Sequence, residues 1–203
     1  PSQPYHFTDA ISDNAVKFVK EHKGDNPFFM YVSYTAAHWP MHAREQDIEK
    51  YDGKYDQGYV SVRKARLERM KEMGLIDNGT KMTPTVGDWS KVKDKEWESA
   101  CMEVYAAMVD QMDQGIGRIV EAIKIRGDLN NTLIFYLQDN GGCAENGGRG
   151  DKPFPRPKKP TFKPIPDDVI HYFNSTPKQT RDGYPVRRGR VMPGPEDTYI
   201  GYG

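Results

Sequence analysis

The first repeating pattern of apolar residues along the chain is a helical one. It predicts a helix from Thr8, the expected N-cap, to about His22, with a buried face formed by Ile11, Ala15, Phe18 and Val19. After a short loop, the run PFFMYVSY at Pro27–Tyr34 is continuously apolar and aromatic. Such a run is typical of a strand that is buried on both faces of a sheet. The order of helix, loop and strand predicts an α/β layer.

The same unit occurs again in the second half of the sequence. The spacing of apolar residues predicts a long helix from Trp97 to Arg126, which Gly127 ends. Its expected core stripe comprises Met102, Tyr105, Val109, Met112, Ile116, Ile119 and Ile123. A short connector, Asp128–Asn131, leads into the apolar run Thr132–Leu137, which predicts a second strand. Two units of helix followed by apolar strand are typical of a parallel sheet covered by helices.

The remaining segments are polar. A short helix is expected within Ala43–Lys50, and a very basic one over Tyr59–Met73 with Gly74 as its C-cap, which we interpret as a solvated face. Asp77–Lys93 has the character of a loop. Arg149–Gly203 holds ten of the 15 prolines and has eleven basic against six acidic residues. We therefore divide the sequence into a folded part, residues 1–148, and a Pro-rich, basic, irregular excursion of the same domain, residues 149–203.

Composition narrows the possible classes of protein. Lys+Arg and Asp+Glu are both 29, so no net charge draws the protein to nucleic acid. No run approaches the roughly 18 apolar residues of a membrane span. Two cysteines, Cys101 and Cys143, form neither a disulfide framework nor a CxxC zinc site.

Polar side chains follow both predicted strands. His38 comes shortly after the first strand, and Asp139 and Asn140 come directly after the second. Because the carboxyl ends of parallel strands lie at one edge of a sheet, we expect these three residues to face one cleft. The oxygens of Asp139 and Asn140 suit a hard cation such as Ca²⁺ or Mg²⁺. Two alternatives stay open at this point: a simple turn at Asp139–Gly142, and a structural or solvated role for His38.

Three longer stretches resemble one known family. The runs FTDAI with PFFMYVSYTAAHWPMHA, YAAMVDQMDQGIGRIVEAI and NTLIFYLQDNGGCAEN, in this order, are similar to the sulfatases, and in particular to the arylsulfatases of the alkaline-phosphatase-like superfamily. The resemblance is dense over residues 5–148. It implies an α/β/α sandwich around a mostly parallel sheet, of which this sequence is expected to hold only an incomplete part.

The resemblance also implies a chemistry. Sulfatases hydrolyse sulfate esters with a formylglycine nucleophile, which is made from the Cys or Ser of a C/S-x-P-x-R motif, and with the help of one Ca²⁺. Asp139 and Asn140 match an Asp-Asn pair that binds this ion, and His38 matches a histidine that contacts the sulfate group. The substrate would be a small-molecule or glycan sulfate ester, and a periplasmic or extracellular location is the family's usual one.

The sequence lacks two features of the family pattern. No C/S-x-P-x-R motif occurs in the sequence, and the early acidic pair that completes the calcium site is absent. We therefore interpret these 203 residues as an internal fragment of a larger sulfatase, a fragment that has no activity by itself. Two alternatives are kept: a phosphatase or phosphodiesterase of the same superfamily, and a non-catalytic module that binds sulfated glycans.

Overall fold

A computed structural model describes residues 5–38, 41, 43–85, 87–93, 95–138, 159–166, 168–169, 179 and 183, with only the backbone at position 97. Its helices are α1 (Phe7–Glu21), α2 (Glu45–Ile48), α3 (Tyr59–Glu72) and α4 (Lys95–Arg126). Short 3-10 turns lie at Glu49–Tyr51, Trp89–Lys91 and Leu129–Asn131. No β-strand lies within these residues. The described part of the protein is therefore a helical layer with extended segments attached to it.

Helix α1 confirms the first predicted helix but not all of its details. Thr8 is not the N-cap, because His6 holds the extended cap conformation and Thr8 lies buried in the first turn. Phe18, expected in the core, is 59% exposed. The buried positions are instead the small or branched residues Thr8, Ser12, Ala15 and Val19. A narrow face of this kind allows a neighbouring helix to approach closely.

That neighbour is α4, which confirms the predicted long helix. It ends as predicted at Gly127, whose φ of 91° is the left-handed conformation favoured by glycine. The N–H groups of Gly127 and Asp128 donate to the carbonyls of Lys124 and Ile123, at 2.9 and 3.2 Å. The predicted core stripe is partly wrong, because Tyr105 is 42% exposed and Val109 37%.

Helix α4 contributes to two separate apolar clusters, one in each of its halves. The first cluster, toward its N-terminal end, contains Met41, Ala43, Ile48, Val104, Ala107 and Met108. The second cluster, toward its C-terminal end, contains Ala15, Val19, Ile119, Ala122 and Ile123. One helix therefore supports both halves of the described core.

Helices α1 and α4 come closest at Gly115. A Cβ atom built there would lie 2.1 Å from Ser12 Oγ and 3.0 Å from Tyr34 Oη, which is closer than real Cβ contacts. The Ser12 hydroxyl donates to the Thr8 carbonyl at 3.0 Å and lies 2.8 Å from the Tyr34 hydroxyl. Only glycine at position 115 leaves room for this contact.

The run predicted as the first strand is extended across this helical layer. Positions 28, 30, 32 and 34 are partly buried and positions 29, 31 and 33 exposed, which is the period of two of a strand. Met30 and Val32 pack against the second cluster. Burial on both faces was expected, but Phe29 is 92% and Tyr31 82% exposed, because the described residues cover only one face.

The run predicted as the second strand is more exposed still. Residues 133–138 are all exposed, including Leu133 at 79%, Phe135 at 74% and Leu137 at 80%. Neither run is paired with another strand in the described part of the protein. The α/β/α sandwich is therefore still a prediction.

The basic segment forms α3, which confirms the predicted helix and its end at Gly74, with φ 70°. None of its residues is buried, in agreement with a solvated helix. No helix among the described residues is long and apolar enough to cross a membrane. The division at residue 148 falls outside the described residues. In the following segment, the N–H groups of Thr161 and Phe162 donate to the Gly183 carbonyl, at 3.1 and 3.0 Å.

Candidate functional site

His38 lies at the surface, in a turn that follows the first extended run. The backbone leaves the second cluster after Val32 and reaches the first cluster at Ala36 and Ala37, which pack against it. There the His38 N–H donates to the Thr35 carbonyl at 2.8 Å, which closes a four-residue turn. His38 is exposed. His38 therefore follows the first extended run in a surface turn, and its role as a site residue stays a prediction.

Asp139 and Asn140, the other predicted site residues, lie outside the described residues. The preceding residue, Gln138, is exposed and its side-chain amide donates to Tyr136 Oη at 3.4 Å. This second extended run starts beside the second cluster, since Leu129 packs against the same residues as Met30 and Val32. The second cluster is therefore contacted by the middle of the first run and by a residue just before the second. Whether their ends form one cleft stays a prediction.

A second Asp-Asn-Gly sequence, Asp77–Gly79, occurs in a different setting. It follows α3 and its cap, and it forms an exposed turn in which the Thr80 N–H donates to the Asp77 carbonyl at 2.9 Å. Asp139–Gly141 instead follows an apolar run. The two copies provide a matched comparison between the turn interpretation and the metal interpretation of the same three residues.

The donor chemistry of Asp139 and Asn140 fits a calcium ion, but the two residues are insufficient alone. A carboxylate and a carboxamide both offer hard oxygen atoms, and Ca²⁺ takes six to eight of these. Among the residues that the structure describes, no group of three or more His, Cys, Asp or Glu residues is placed to hold a metal. Any further ligands would thus come from elsewhere.

A buried polar network that the sequence analysis missed joins α4 to the loop after α2. The Ser99 hydroxyl donates to Asp56 Oδ1 at 2.7 Å and to Glu103 Oε1 at 3.2 Å. The Gly53 N–H donates to the same Glu103 oxygen at 3.1 Å. No short motif announces these partners, because the loop and the helix are about 45 residues apart in the sequence.

Burial raises the pKa of Glu103, and the nearby charges of Asp52 and Asp56 raise it further, against the hydrogen bonds from Gly53 and Ser99, which lower it. The pKa of buried Tyr55 is raised by its burial and by the charge of Glu103. This network therefore carries an acid that resists ionisation. Its hydrogen bonds hold the loop on α4, and we assign it a structural role.

Ion pairs fix α2 and the start of α1 on α4. Lys50 Nζ lies 2.6 Å from Asp47, whose side chain is only 6% exposed, and 3.0 Å from Asp110. These two hydrogen bonds raise the pKa of Lys50. Asp9 pairs with Arg44 at 2.5 Å and with Arg118 at 3.3 Å. These pairs support the elements on either side of the His38 turn.

Comparisons with known proteins point to one family. The sequence model of a family described as Sulfatase matches residues 1–185. An uncharacterized sulfatase of Schizosaccharomyces pombe is 34% identical over 143 residues, which cover 68% of this chain and 26% of that protein. An arylsulfatase of Klebsiella aerogenes is 31% identical over 153 residues, 70% of this chain and 32% of that protein.

More distant relatives include an N-acetylglucosamine-6-sulfatase of Bos taurus, which is 26% identical over 145 residues, 67% of this chain and 22% of that protein. The chain thus spans about a third or less of the length of these relatives.

Proposed function

The chain belongs to the sulfatase family, and we propose on this basis that the whole protein hydrolyses sulfate esters. The observation that carries the proposal is the family match over residues 1–185, a range that includes His38, Asp139 and Asn140. The arylsulfatase of Klebsiella aerogenes matches over most of the sequence, so an aryl sulfate is a suitable first substrate.

The proposed architecture is the α/β/α sandwich around a mostly parallel sheet. Two features support it: the run from position 28 to 34 alternates between partly buried and exposed positions, and its partly buried positions lie on the layer formed by α1 and α4. An extended segment with one face on a helical layer and the other exposed is what one strand of such a sheet would present.

In this proposal Asp139 and Asn140 hold a Ca²⁺ ion through their side-chain oxygens. When bound, the ion would act as a Lewis acid that polarises the sulfate group. No C/S-x-P-x-R sequence is present, so the formylglycine nucleophile and the remaining ligands would lie outside these 203 residues. The role of the residues present here is therefore to bind and orient the sulfate group.

His38 has the most direct part in this proposal. Its place in a short turn on the surface makes the imidazole accessible to a substrate. Imidazole N–H groups donate hydrogen bonds, and a protonated ring adds a positive charge. Placed against the sulfate group, His38 would stabilise the negative charge that develops on the ester oxygen, or deliver a proton to the leaving group.

The two Asp-Asn-Gly sequences supply the experiment that tests the function. The whole protein, expressed together with its maturation enzyme, is assayed with an aryl sulfate and with the matching aryl phosphate. Asp139→Ala and Asn140→Ala should each lower aryl sulfate turnover by about 100-fold or more. Asp77→Ala and Asn78→Ala, which change the exposed copy, should leave it within about twofold.

Three results would contradict parts of the proposal. Parental rates in both variants at 139 and 140 would refute the metal assignment. A strong preference for the aryl phosphate would indicate a phosphatase or phosphodiesterase. Tight binding of sulfated glycans without turnover of either ester would indicate a non-catalytic module.

A further inference from the structure

Gln111 of α4 is a buried polar residue whose hydrogen-bonding capacity is unused. Its exposed fraction is 3%, and neither Nε2 nor Oε1 has a hydrogen-bond partner among the described residues. Gln114, on the same helix, is exposed, and its amide donates to Asp110 at 2.9 Å. The helix therefore carries one glutamine in an ordinary surface setting and one in an unusual buried setting.

A buried carboxamide without partners is costly. Removing such a group from water without a compensating hydrogen bond lowers the stability of the fold, as mutations in proteins show. The large majority of buried side-chain polar atoms in folded proteins have a partner. Backbone groups close to Gln111 are the natural source of one.

The position of Gln111 on α4 locates those groups. Residues four apart lie on one helix face, so Gln111 stands between Ala107 and Gly115. Ala107 belongs to the cluster against which Ala36 and Ala37 pack. Gly115 lies against Tyr34, since a Cβ atom there would be 3.0 Å from Tyr34 Oη. The segment Tyr34–Ala37 therefore contacts α4 on both sides of Gln111, through the Tyr34 hydroxyl near Gly115 and through Ala36 and Ala37 at the cluster of Ala107.

The same stretch of backbone has hydrogen-bonding groups to offer. Ala36 and Ala37 are partly buried, and their N–H and C=O groups have no hydrogen-bond partner among the described residues. A carboxamide contains both a donor and an acceptor, which are the complements of a backbone C=O and N–H. The backbone of Ala36 and Ala37, which pack against the cluster that contains Ala107, can therefore complement the carboxamide of Gln111, at the turn that carries His38.

We propose that Gln111 is a positioning residue for His38: in the active enzyme its carboxamide bonds to the backbone of Ala36 and Ala37 and fixes the turn Thr35–His38. Within the turn, the His38 N–H donates to the Thr35 carbonyl, and the small residues Ala36 and Ala37 pack against the first cluster. A second anchor would restrict the direction of the imidazole. This role rests on the proposed function, because it acts through His38.

The test compares Gln111→Met, which removes the polar atoms at similar volume, with Gln114→Met on the exposed face. In the whole matured protein, Gln111→Met should lower kcat for an aryl sulfate by about 10- to 100-fold with little change in KM. The reason is that a small displacement of a catalytic group lowers the rate strongly. Gln114→Met should have the parental kcat. Gln111→Glu, whose oxygens keep the acceptor but not the N–H donor, should retain part of the rate, and Gln111→Leu serves if Gln111→Met does not fold.

The same substitutions in a His38→Ala background show whether Gln111 acts through His38. In that background, Gln111→Met should have little further effect on kcat, since the effects of substitutions at interacting residues are not additive. An equal loss with and without His38 would overturn the proposal. So would a Gln111→Met protein that has the parental kcat and a higher midpoint of thermal unfolding, because this is the behaviour of an unpaired buried amide.

Thermal unfolding also separates this proposal from the proposed function. If His38→Ala alone has the parental rate, the role of His38 in the proposed function is refuted. The midpoint of thermal unfolding of Gln111→Met then tests by itself whether Gln111 bonds to the backbone of Ala36 and Ala37. A lower midpoint than that of Gln114→Met supports the bond, and an equal or higher one refutes it.

Discussion

The hydroxyl oxygens of Ser12 and Tyr34 lie 2.8 Å apart, beside Gly115 of α4. This pair joins three parts of the protein: the first half of α1, the end of the first extended run and the long helix α4. Ser12 is fully buried, so the hydrogen bond between the two hydroxyls lies partly within the core. This contact requires glycine at position 115, because any larger residue there would occupy the space of the Ser12 hydroxyl.

A methyl group at position 115 should therefore destabilise the fold. We expect Gly115→Ala to lower the free energy of unfolding by about 1–3 kcal/mol, since overpacking forces backbone shifts. Gly117→Ala is the matched control, because nothing lies within 4 Å of a Cβ atom there. That substitution should raise the stability by up to about 1 kcal/mol through helix propensity. Urea unfolding of both variants measures the difference; equal effects would disprove the close contact.

The buried acid Glu103 should make stability depend on pH. Its pKa in the fold is raised, chiefly by burial, above the ordinary value of 4.5. Its contribution to stability is thus complete below the unfolded pKa and is lost as the pH rises through the folded one. Glu103→Gln keeps an acceptor for the Gly53 N–H but cannot ionise. Its free energy of unfolding should fall less than that of the parent as the pH rises above about 4.5.

Glu121→Gln, an exposed substitution on the same helix, is the control for this pH effect. Its stability should follow the parental curve through the same range. If Glu103→Gln also follows the parental curve, burial does not govern the ionisation of Glu103.

His38 and the Asp139/Asn140 pair should respond differently to calcium. His38→Ala should lower kcat for an aryl sulfate by about 100-fold or more, as expected for the loss of a proton-transfer group. The calcium concentration that gives half of the maximal rate should change little, because the histidine is expected to contact sulfate rather than the metal. Titration of chelator-treated protein with CaCl₂ measures this. If His38→Ala raises this calcium concentration as much as Asp139→Ala does, His38 belongs to the metal site.

The helices were predicted well because their signals are local. Gly74 and Gly127 adopt positive φ angles and end α3 and α4 where predicted. The buried faces were less predictable, because residue size does not decide burial where two helices come close. Phe18 is exposed, whereas Ser12, in the same helix, is fully buried.

For the candidate site, the end of an apolar run was enough to predict the place of His38. No such signal indicates Gln111 or Glu103, because a polar residue on an amphipathic helix has the same pattern whether it is buried or not. Their surroundings depend on contacts with segments distant in the sequence. The pairing of His38 with Asp139 and Asn140 depends in the same way on how two extended runs lie together.

The shared use of α4 has a consequence for synthesis on the ribosome. The residues of α1 that face the core, Ala15 and Val19, pack on Ile119, Ala122 and Ile123, about a hundred positions later in the sequence. During translation α1 therefore emerges long before its packing surface exists, and its apolar face must stay exposed until α4 has left the exit tunnel. Both described clusters can therefore form only after α4, the longest helix among the described residues, has emerged.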